Sequence, residues 1–427
     1  METDLEKTVI IGGGAAGMMA AIRYAQRGFD VTLLEQNEKL GKKIFITGKG
    51  RCNLTNDCDE ETFFSSMISN PKFLFSSYAA CTAQDVMRLF ESWGLEIKVE
   101  RGRRVFPVSD HSYDVIDALK LTMKKLGVKV LLNTKAEALL TEDLPEEPTE
   151  DGKKKKGPTM RITGVKAGGR VYPADRVLVA TGGLSYPSTG SRGDGHRMAE
   201  ATGHRVTACR PSLVAITCGD VDLKPLQGLS LKNVTLSVYR GKKVVYSDFG
   251  EMLFTHFGVS GPLVLTAGAR IGDDFKKGPV KATIDLKPTV DEQRLDEDLV
   301  RLFEEHANKD AVHAIRSLYP ASMVNVLLDR AGIPLNKKAH DITKAERAAL
   351  RSATKAFTLN MTGLRGFEEA IVTHGGVSVK DVDPATMASK KVKGLYFAGE
   401  VLDLDAVTGG FNLQIAWSTG WAAGSAE

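Results

Sequence analysis

The stretch Thr8-Val9-Ile10-Ile11-Gly12-Gly13-Gly14-Ala15-Ala16-Gly17-Met18-Met19-Ala20-Ala21 decides the fold. Thr8 to Ile11 is an apolar, β-branched run that reads as a buried strand. Gly12 to Gly17 fits GxGxxG, and Ala15 to Arg27 reads as a helix rich in small residues, stopped by Gly28. Gly12 permits a tight turn, Gly14 lets the main chain approach a pyrophosphate, and Gly17 lets helix and strand pack closely. The first N–H groups of the helix, with Ala15 and Ala16, face that anion, favoured by the helix dipole. A second buried strand, Val31 to Leu34, is closed by Glu35, 23 positions after Gly12. Such a carboxylate accepts hydrogen bonds from both ribose hydroxyls of an adenosine and repels a 2′-phosphate. That disfavours NADP at this site and leaves FAD or NAD.

Segments further along separate those two. Lys39 to Lys43 and Thr47-Gly48-Lys49-Gly50-Arg51-Cys52-Asn53-Leu54-Thr55-Asn56 combine glycines with hydroxyl, amide and cationic groups soon after the acidic residue. Gln36, Lys42, Lys43, Thr47, Gly48, Gly50, Arg51, Cys52 and Asn53 are therefore candidate contacts to a long cofactor, which an NAD dehydrogenase would not need. Thr181-Gly182-Gly183 follows another apolar strand, Arg176 to Ala180, and Asp194 lies in a second glycine-rich stretch leading into a helix. Gly399, Glu400 and Asp403 follow a late strand, where a carboxylate can hold ribityl hydroxyls. Gly409, Gly410, Phe411, Asn412, Leu413 and Gln414 open the last helix, whose free N–H groups could stabilise charge on a reduced flavin. FAD is the cofactor these segments imply.

A chain of 427 residues exceeds one compact core and should divide into two or three domains. A net charge of +4 is mild, and Lys153 to Lys156 follow Glu146, Glu147, Glu150 and Asp151, so a self-neutralising loop is expected and no nucleic-acid partner. No run approaches the roughly 20 apolar residues of a membrane span, and no secretory leader is visible. Five cysteines without paired spacing imply no metal site and fit a reducing cytoplasm. Thr82 with Asp85 forms a capping box, Ser112 is read as the cap of a helix through Leu126, and Val128 to Leu140 with Met160 to Ala167 read as a hairpin. After Arg205 short alternating stretches suggest an antiparallel sheet or barrel. Asp291 to Asp329 and Thr343 to Ser352 have helical spacing, and strand texture returns at Lys355 to Leu359 and Glu369 to Thr373. The expected class is α/β: a Rossmann-type FAD-binding domain split over 1–205 and 371–427, a β-barrel over 206–290 and 355–370, and a helical insert over 291–354.

The chain resembles the bacterial family of FAD-dependent oxidoreductases that includes aminoacetone-oxidase-like flavoproteins and bile-acid-inducible 3-dehydro-bile-acid Δ4,6-reductases. The resemblance runs through Gly12 to Gly17, Thr47 to Asn56, Gly102 to Pro107, Gly250 to Pro262, Thr373 to Val377 and Gly399 to Gln414. It implies a split FAD domain, a β-barrel and a helical bundle inserted in the barrel. Ala406, where glycine is expected, and Phe411, where tyrosine is common, depart from the pattern.

The flavin carries the redox chemistry, and the protein adds position, electrostatics and a proton donor. Arg51 and His256 are the candidate catalytic residues. Arg51 could stabilise the flavin or an anionic substrate, or simply anchor a loop; His256 could serve acid–base chemistry or hydrogen-bond a turn. Cys52, with no partner cysteine, reads as a small buried neighbour of the cofactor, and His374 as structural. No second strand–GxGxxG–helix unit occurs, so a donor such as NAD(P)H would enter through the substrate cleft. By resemblance, the expected reaction is reduction of a conjugated C=C bond in a small steroid-like enone. The alternatives are an amine oxidase using O2 and an RNA-associated flavoprotein. Oligomeric state is not legible.

Overall fold

The computed structural model describes residues 5–145 and 157–427, so the Lys153–Lys156 run lies outside the described residues. The chain divides into two compact units, Met1–Ser212 with Phe367–Glu427, and Leu213–Gly366.

The first unit is built on a five-stranded parallel sheet. Its order is Leu395–Phe397, Arg176–Val179, Lys7–Ile11, Asp30–Leu34 and Lys129–Leu131. Val9, Ile10 and Ile11 are buried, as expected of a strand covered on both faces. The Ala15–Gln26 helix follows the glycine turn, and the Phe411–Ser425 helix packs closely on it. A Cβ on Gly420 would lie 2.5 Å from the Ala16 carbonyl oxygen, and one on Gly424 would lie 2.7 Å from Arg23 Cβ. Only residues this small allow that approach. Trp417 anchors the other side: it is wholly buried, its indole N–H donates to the Leu54 carbonyl at 2.9 Å, and Phe90 meets it edge-on at 5.3 Å. Truncating such a residue to alanine typically costs about 3–5 kcal/mol.

The second unit is a closed antiparallel barrel of six strands. Around it run Ile216–Cys218, Gly258–Ser260, Lys243–Thr255, Ser230–Arg240, Val280–Asp285 and Phe357–Leu364, the last pairing back to the first. Phe357, Leu359 and Met361 point inward and their neighbours outward, the period of two that a barrel wall requires. The helices Glu292–Glu305, Ala311–Ala314, Ala321–Arg330 and Lys344–Lys355 lie between the last two of those strands in sequence, the final one opened by a capping box at Thr343.

Several local expectations change. The Thr82–Asp85 capping box forms as read. His111, however, is the N-cap of the Ser112–Lys125 helix; Ser112 is its first residue, buried, and its hydroxyl donates to the Phe45 carbonyl at 2.8 Å. The strand read as Val128 to Leu140 breaks at Asn133, which adopts φ 51°. Lys129–Leu131 joins the parallel sheet, whereas Ala136–Asp143 pairs with Met160–Ala167. The strand read at Glu369 to Thr373 forms at Val372–His374, pairing with Arg210–Ser212.

Candidate functional site

A cleft of about 1280 Å³ opens in the first unit along the carboxyl ends of its parallel strands. That is where ligands bind in open α/β sheets.

The glycine turn forms one wall, and its conformation explains the residue types. Gly12 sits at φ 108°, and a Cβ there would come within 2.5 Å of the Ala180 carbonyl oxygen; a Cβ on Gly17 would come within 1.9 Å of the Gly12 oxygen. Gly14 has ordinary extended angles (φ −88°, ψ −168°) and nothing within 4 Å of its Cβ position. Sterics within the protein therefore demand glycine at 12 and 17, whereas at 14 the free space belongs to the cleft. Glu35, 8% exposed, accepts from Gly13 N–H at 2.7 Å and from the backbone and side-chain N–H of Asn37 at 2.8 and 2.6 Å. Asn37 also reaches the Thr189 carbonyl, and Gln36 donates to the Gly190 carbonyl at 2.8 Å. The acidic residue thus fixes the glycine turn while lining the cleft.

Farther along, Lys43 Nζ meets Glu400 Oε2 and Ser185 Oγ, each at 2.6 Å. Glu400 Oε1 accepts from Ser185 Oγ at 2.6 Å and from Thr373 N–H at 2.8 Å. Two buried oxygens in this wall have no hydrogen-bond partner among the described residues, Thr181 Oγ1 and Asp194 Oδ2. A buried polar atom left unpaired is costly, so both fit a bound polar ligand. The free space over Gly14, the helix N-terminus beside it and these unpaired oxygens together fit the phosphates and hydroxyls of FAD.

Many of the residues read from the sequence share this wall. Gly12, Gly14, Ala15 and Ala16 line it with Glu35 and Gln36; Lys42, Lys43 and Thr47 line it with Thr181, Gly182 and Asp194; Gly399, Glu400, Asn412 and Leu413 complete the set. Others lie behind or beside it. Gly17 packs beneath the turn, and Gly183 lies against Thr373. Gly48, Gly50 and Cys52 form a run of left-handed backbone that also includes the non-glycine Lys49 at φ 58°. Asn53 Oδ1 is buried with no hydrogen-bond partner among the described residues. Arg51 is held by Glu100 and Asp110 and lies over the Phe106 ring at 4.2 Å. Asp403 offers its carbonyl to Asn70 Nδ2 at 2.7 Å. Gly409 accepts from Asn56 through its carbonyl, Gly410 packs on Thr55, and Phe411 is buried. Gln414 is buried, accepting from Thr55 Oγ1 at 2.6 Å and donating to the Cys81 carbonyl at 3.0 Å. His256 lies in the second unit, exposed at the hairpin turn between Lys243–Thr255 and Gly258–Ser260, its ring 4.8 Å from that of Phe257. Burial pushes the Cys52 and Cys81 thiols up to about 12, which leaves them protonated and unreactive near neutral pH.

Sequence reading missed Asn37, Lys135, Ser185 and Asp405. Asn37 follows the acidic strand end, and Lys135, 3.2 Å from Asp194, follows the next strand end; the rule that ligands gather at carboxyl strand ends could have found both. Ser185 and Asp405 are visible only through long-range hydrogen bonds.

Comparison with known proteins agrees with this architecture. Residues 6–426 match the family model described as "HI0933-like protein Rossmann domain". The 3-dehydro-bile acid delta(4,6)-reductase of Clostridium scindens is 32% identical over 98% of each chain. The ribosomal RNA dihydrouridine synthase of Haemophilus influenzae is 31% identical over 97% of each. The solved structure of 3-ketosteroid delta1-dehydrogenase from Sterolibacterium denitrificans superposes over 99% of both chains with a TM-score of 0.54 at 13% identity, a likeness of fold. The chain belongs to the HI0933-like family of FAD-dependent oxidoreductases with a Rossmann domain.

Proposed function

We propose that this enzyme adds hydrogen across a carbon–carbon double bond conjugated with a carbonyl, on a steroid-like or bile-acid-like enone, with NAD(P)H as donor. One observation carries the reading: two near-full-length relatives are named for the same chemistry on different molecules, a Δ4,6 reduction and the conversion of uridine to dihydrouridine. In both, the reduced bond is polarised by a carbonyl, so its far carbon accepts a hydride.

FAD, when bound and reduced, supplies that hydride from N5. The chain's own residues hold it. Gly14 and the N-terminus of the Ala15–Gln26 helix receive the diphosphate, Glu35 takes the adenosine ribose hydroxyls, and Lys43 with Glu400 is positioned for the polar chain beyond. Thr181 and Asp194 offer unpaired oxygens to its hydroxyls.

A second reading keeps the chemistry and exchanges the substrate for a uridine in RNA, favoured by the dihydrouridine synthase relative. Anaerobic stopped-flow separates these. Bleaching of the flavin by NADH or NADPH, followed by recolouring on addition of progesterone, supports the enone reading. Recolouring only with a uridine-containing RNA hairpin supports the second. Bleaching by an amine such as aminoacetone, with no reaction of either acceptor, overturns both in favour of an oxidase.

A further inference from the structure

The two-stranded sheet formed by Arg210–Ser212 and Val372–His374 belongs wholly to the first unit, on the strands by which the chain leaves and re-enters it. Arg210 stands opposite His374 and Ser212 opposite Val372, so the alternation of a strand places all four on one face. Beneath that face lies Asp405, which is fully buried. Its Oδ2 accepts from Ser212 Oγ at 2.9 Å; its Oδ1 accepts from Ser69 Oγ at 2.8 Å and lies 3.0 Å from His374 Nδ1. Ser69 Oγ in turn accepts the Asp405 N–H at 3.0 Å, so the loop carrying the carboxylate is locked in place.

This geometry fixes the histidine. An ionised carboxylate can only accept, so the Nδ1 that faces it carries the proton, which sets the tautomer and the ring orientation. Nε2 has no partner among the described residues, and the side chain keeps 21% exposure. The cleft is close by in the chain, since Ile371 and Val372 before His374, and Leu404 before Asp405, line it.

We infer that His374 is the proton donor for the reduction and that Asp405 is its positioning residue. This rests on the double-bond reductase reading. The far carbon of the conjugated bond takes the hydride, and the broken π pair takes the Nε2 proton of the imidazolium at the carbon next to the carbonyl. Two C–H bonds form, the flavin is oxidised, and neutral His374 recovers a proton from water. The charged and titratable groups around the ring are Asp405 beneath it, Arg210 across the sheet with Cys209 beside it, Asp403 on the Asp405 loop, and Glu400, which accepts from the neighbouring Thr373 N–H.

The test uses His374→Gln and the near-isosteric Asp405→Asn in the FAD-loaded protein, photochemically reduced and mixed with progesterone or a uridine-containing RNA hairpin between about pH 5 and pH 9. His374→Gln should slow flavin reoxidation about 100-fold and flatten its pH profile, the range expected for loss of a general acid. Imidazole ¹⁵N spectra of the oxidised proteins provide a readout independent of turnover. The wild type should show His374 with Nδ1 protonated in its neutral form, and Asp405→Asn should lose that tautomer. A His374→Gln enzyme with the wild-type rate and pH profile overturns the proton-donor role. An Asp405→Asn spectrum identical to wild type overturns the positioning role. If wild-type protein reoxidises with neither acceptor, the reductase reading itself fails, and the spectra still decide whether the tautomer is fixed.

Discussion

Glycine 14 offers a clean separation of cofactor binding from folding. Its backbone angles suit any residue, and the site of a Cβ is empty of protein atoms to 4 Å. Gly14→Ala should therefore fold. Its cost to the ligand-free protein is that of alanine at a helix N-cap, about 0.5–1 kcal/mol. The methyl would, however, fill space that the reading assigns to the diphosphate. Losing the helix-terminus interaction costs about 1–2 kcal/mol, and crowding a close contact about 1–3 kcal/mol. Together these weaken FAD by on the order of 30- to 4,000-fold at 1.4 kcal/mol per decade. Gly17→Ala reverses the pattern, since its Cβ would lie 1.9 Å from the Gly12 oxygen, well inside contact distance. It should destabilise the apoprotein by about 3 kcal/mol or more, the top of the overpacking range. Urea denaturation of apoprotein, with titration of FAD fluorescence quenching, measures both quantities. A Gly14→Ala protein that binds FAD as tightly as wild type refutes the assignment of this turn.

Two further outcomes follow from buried polar groups. Gln414→Leu removes the acceptor for Thr55 Oγ1, while the Cys81 carbonyl keeps the Ser418 hydroxyl at 2.7 Å; the one orphaned buried hydroxyl costs about 1–3 kcal/mol, and an unchanged urea midpoint would contradict this. His204 and His196 are both held below the ordinary histidine range, chiefly by burial. In the window below about pH 6.5 the unfolded chain binds more protons than the native one, so stability is full above that pH and declines as the solution is acidified towards the native values. NMR titration of the two imidazoles, with urea midpoints at several pH values, checks the sign; a protein that gains stability on acidification across that window would refute it.

The glycine turn and its flanking elements were legible because their requirements are local. A strand, a turn needing left-handed or crowded glycines, and an acid at the next strand end all fall between Thr8 and Glu35. The Thr82 capping box was legible for the same reason, since its two partners stand three residues apart. What escaped depends on distant partners. Ser112 looked like a cap, but the Phe45 carbonyl, 67 positions away, claims its hydroxyl. The apolar run after Val128 looked continuous, and only the left-handed Asn133 divides it between two sheets. Asp405 gave no signal at all: its partners are Ser69, Ser212 and His374. At Arg51 the sequence left a loop anchor and a site role open, and it cannot show Glu100 and Asp110 converging on that side chain.

The seam between the Ala15–Gln26 and Phe411–Ser425 helices also bears on how the protein is made. The helix that buries the supporting face of the glycine turn is translated some four hundred residues after it. The barrel unit, contiguous from Leu213 to Gly366, has all its strands available in the interval and can mature while the chain is still being extended. The nascent N-terminal half must wait with an apolar surface uncovered. Cofactor capture is thereby deferred until the Phe411–Ser425 helix has been made, and a ribosome that stalls between Gly366 and Phe411 releases a product with a finished barrel and no completed cofactor unit.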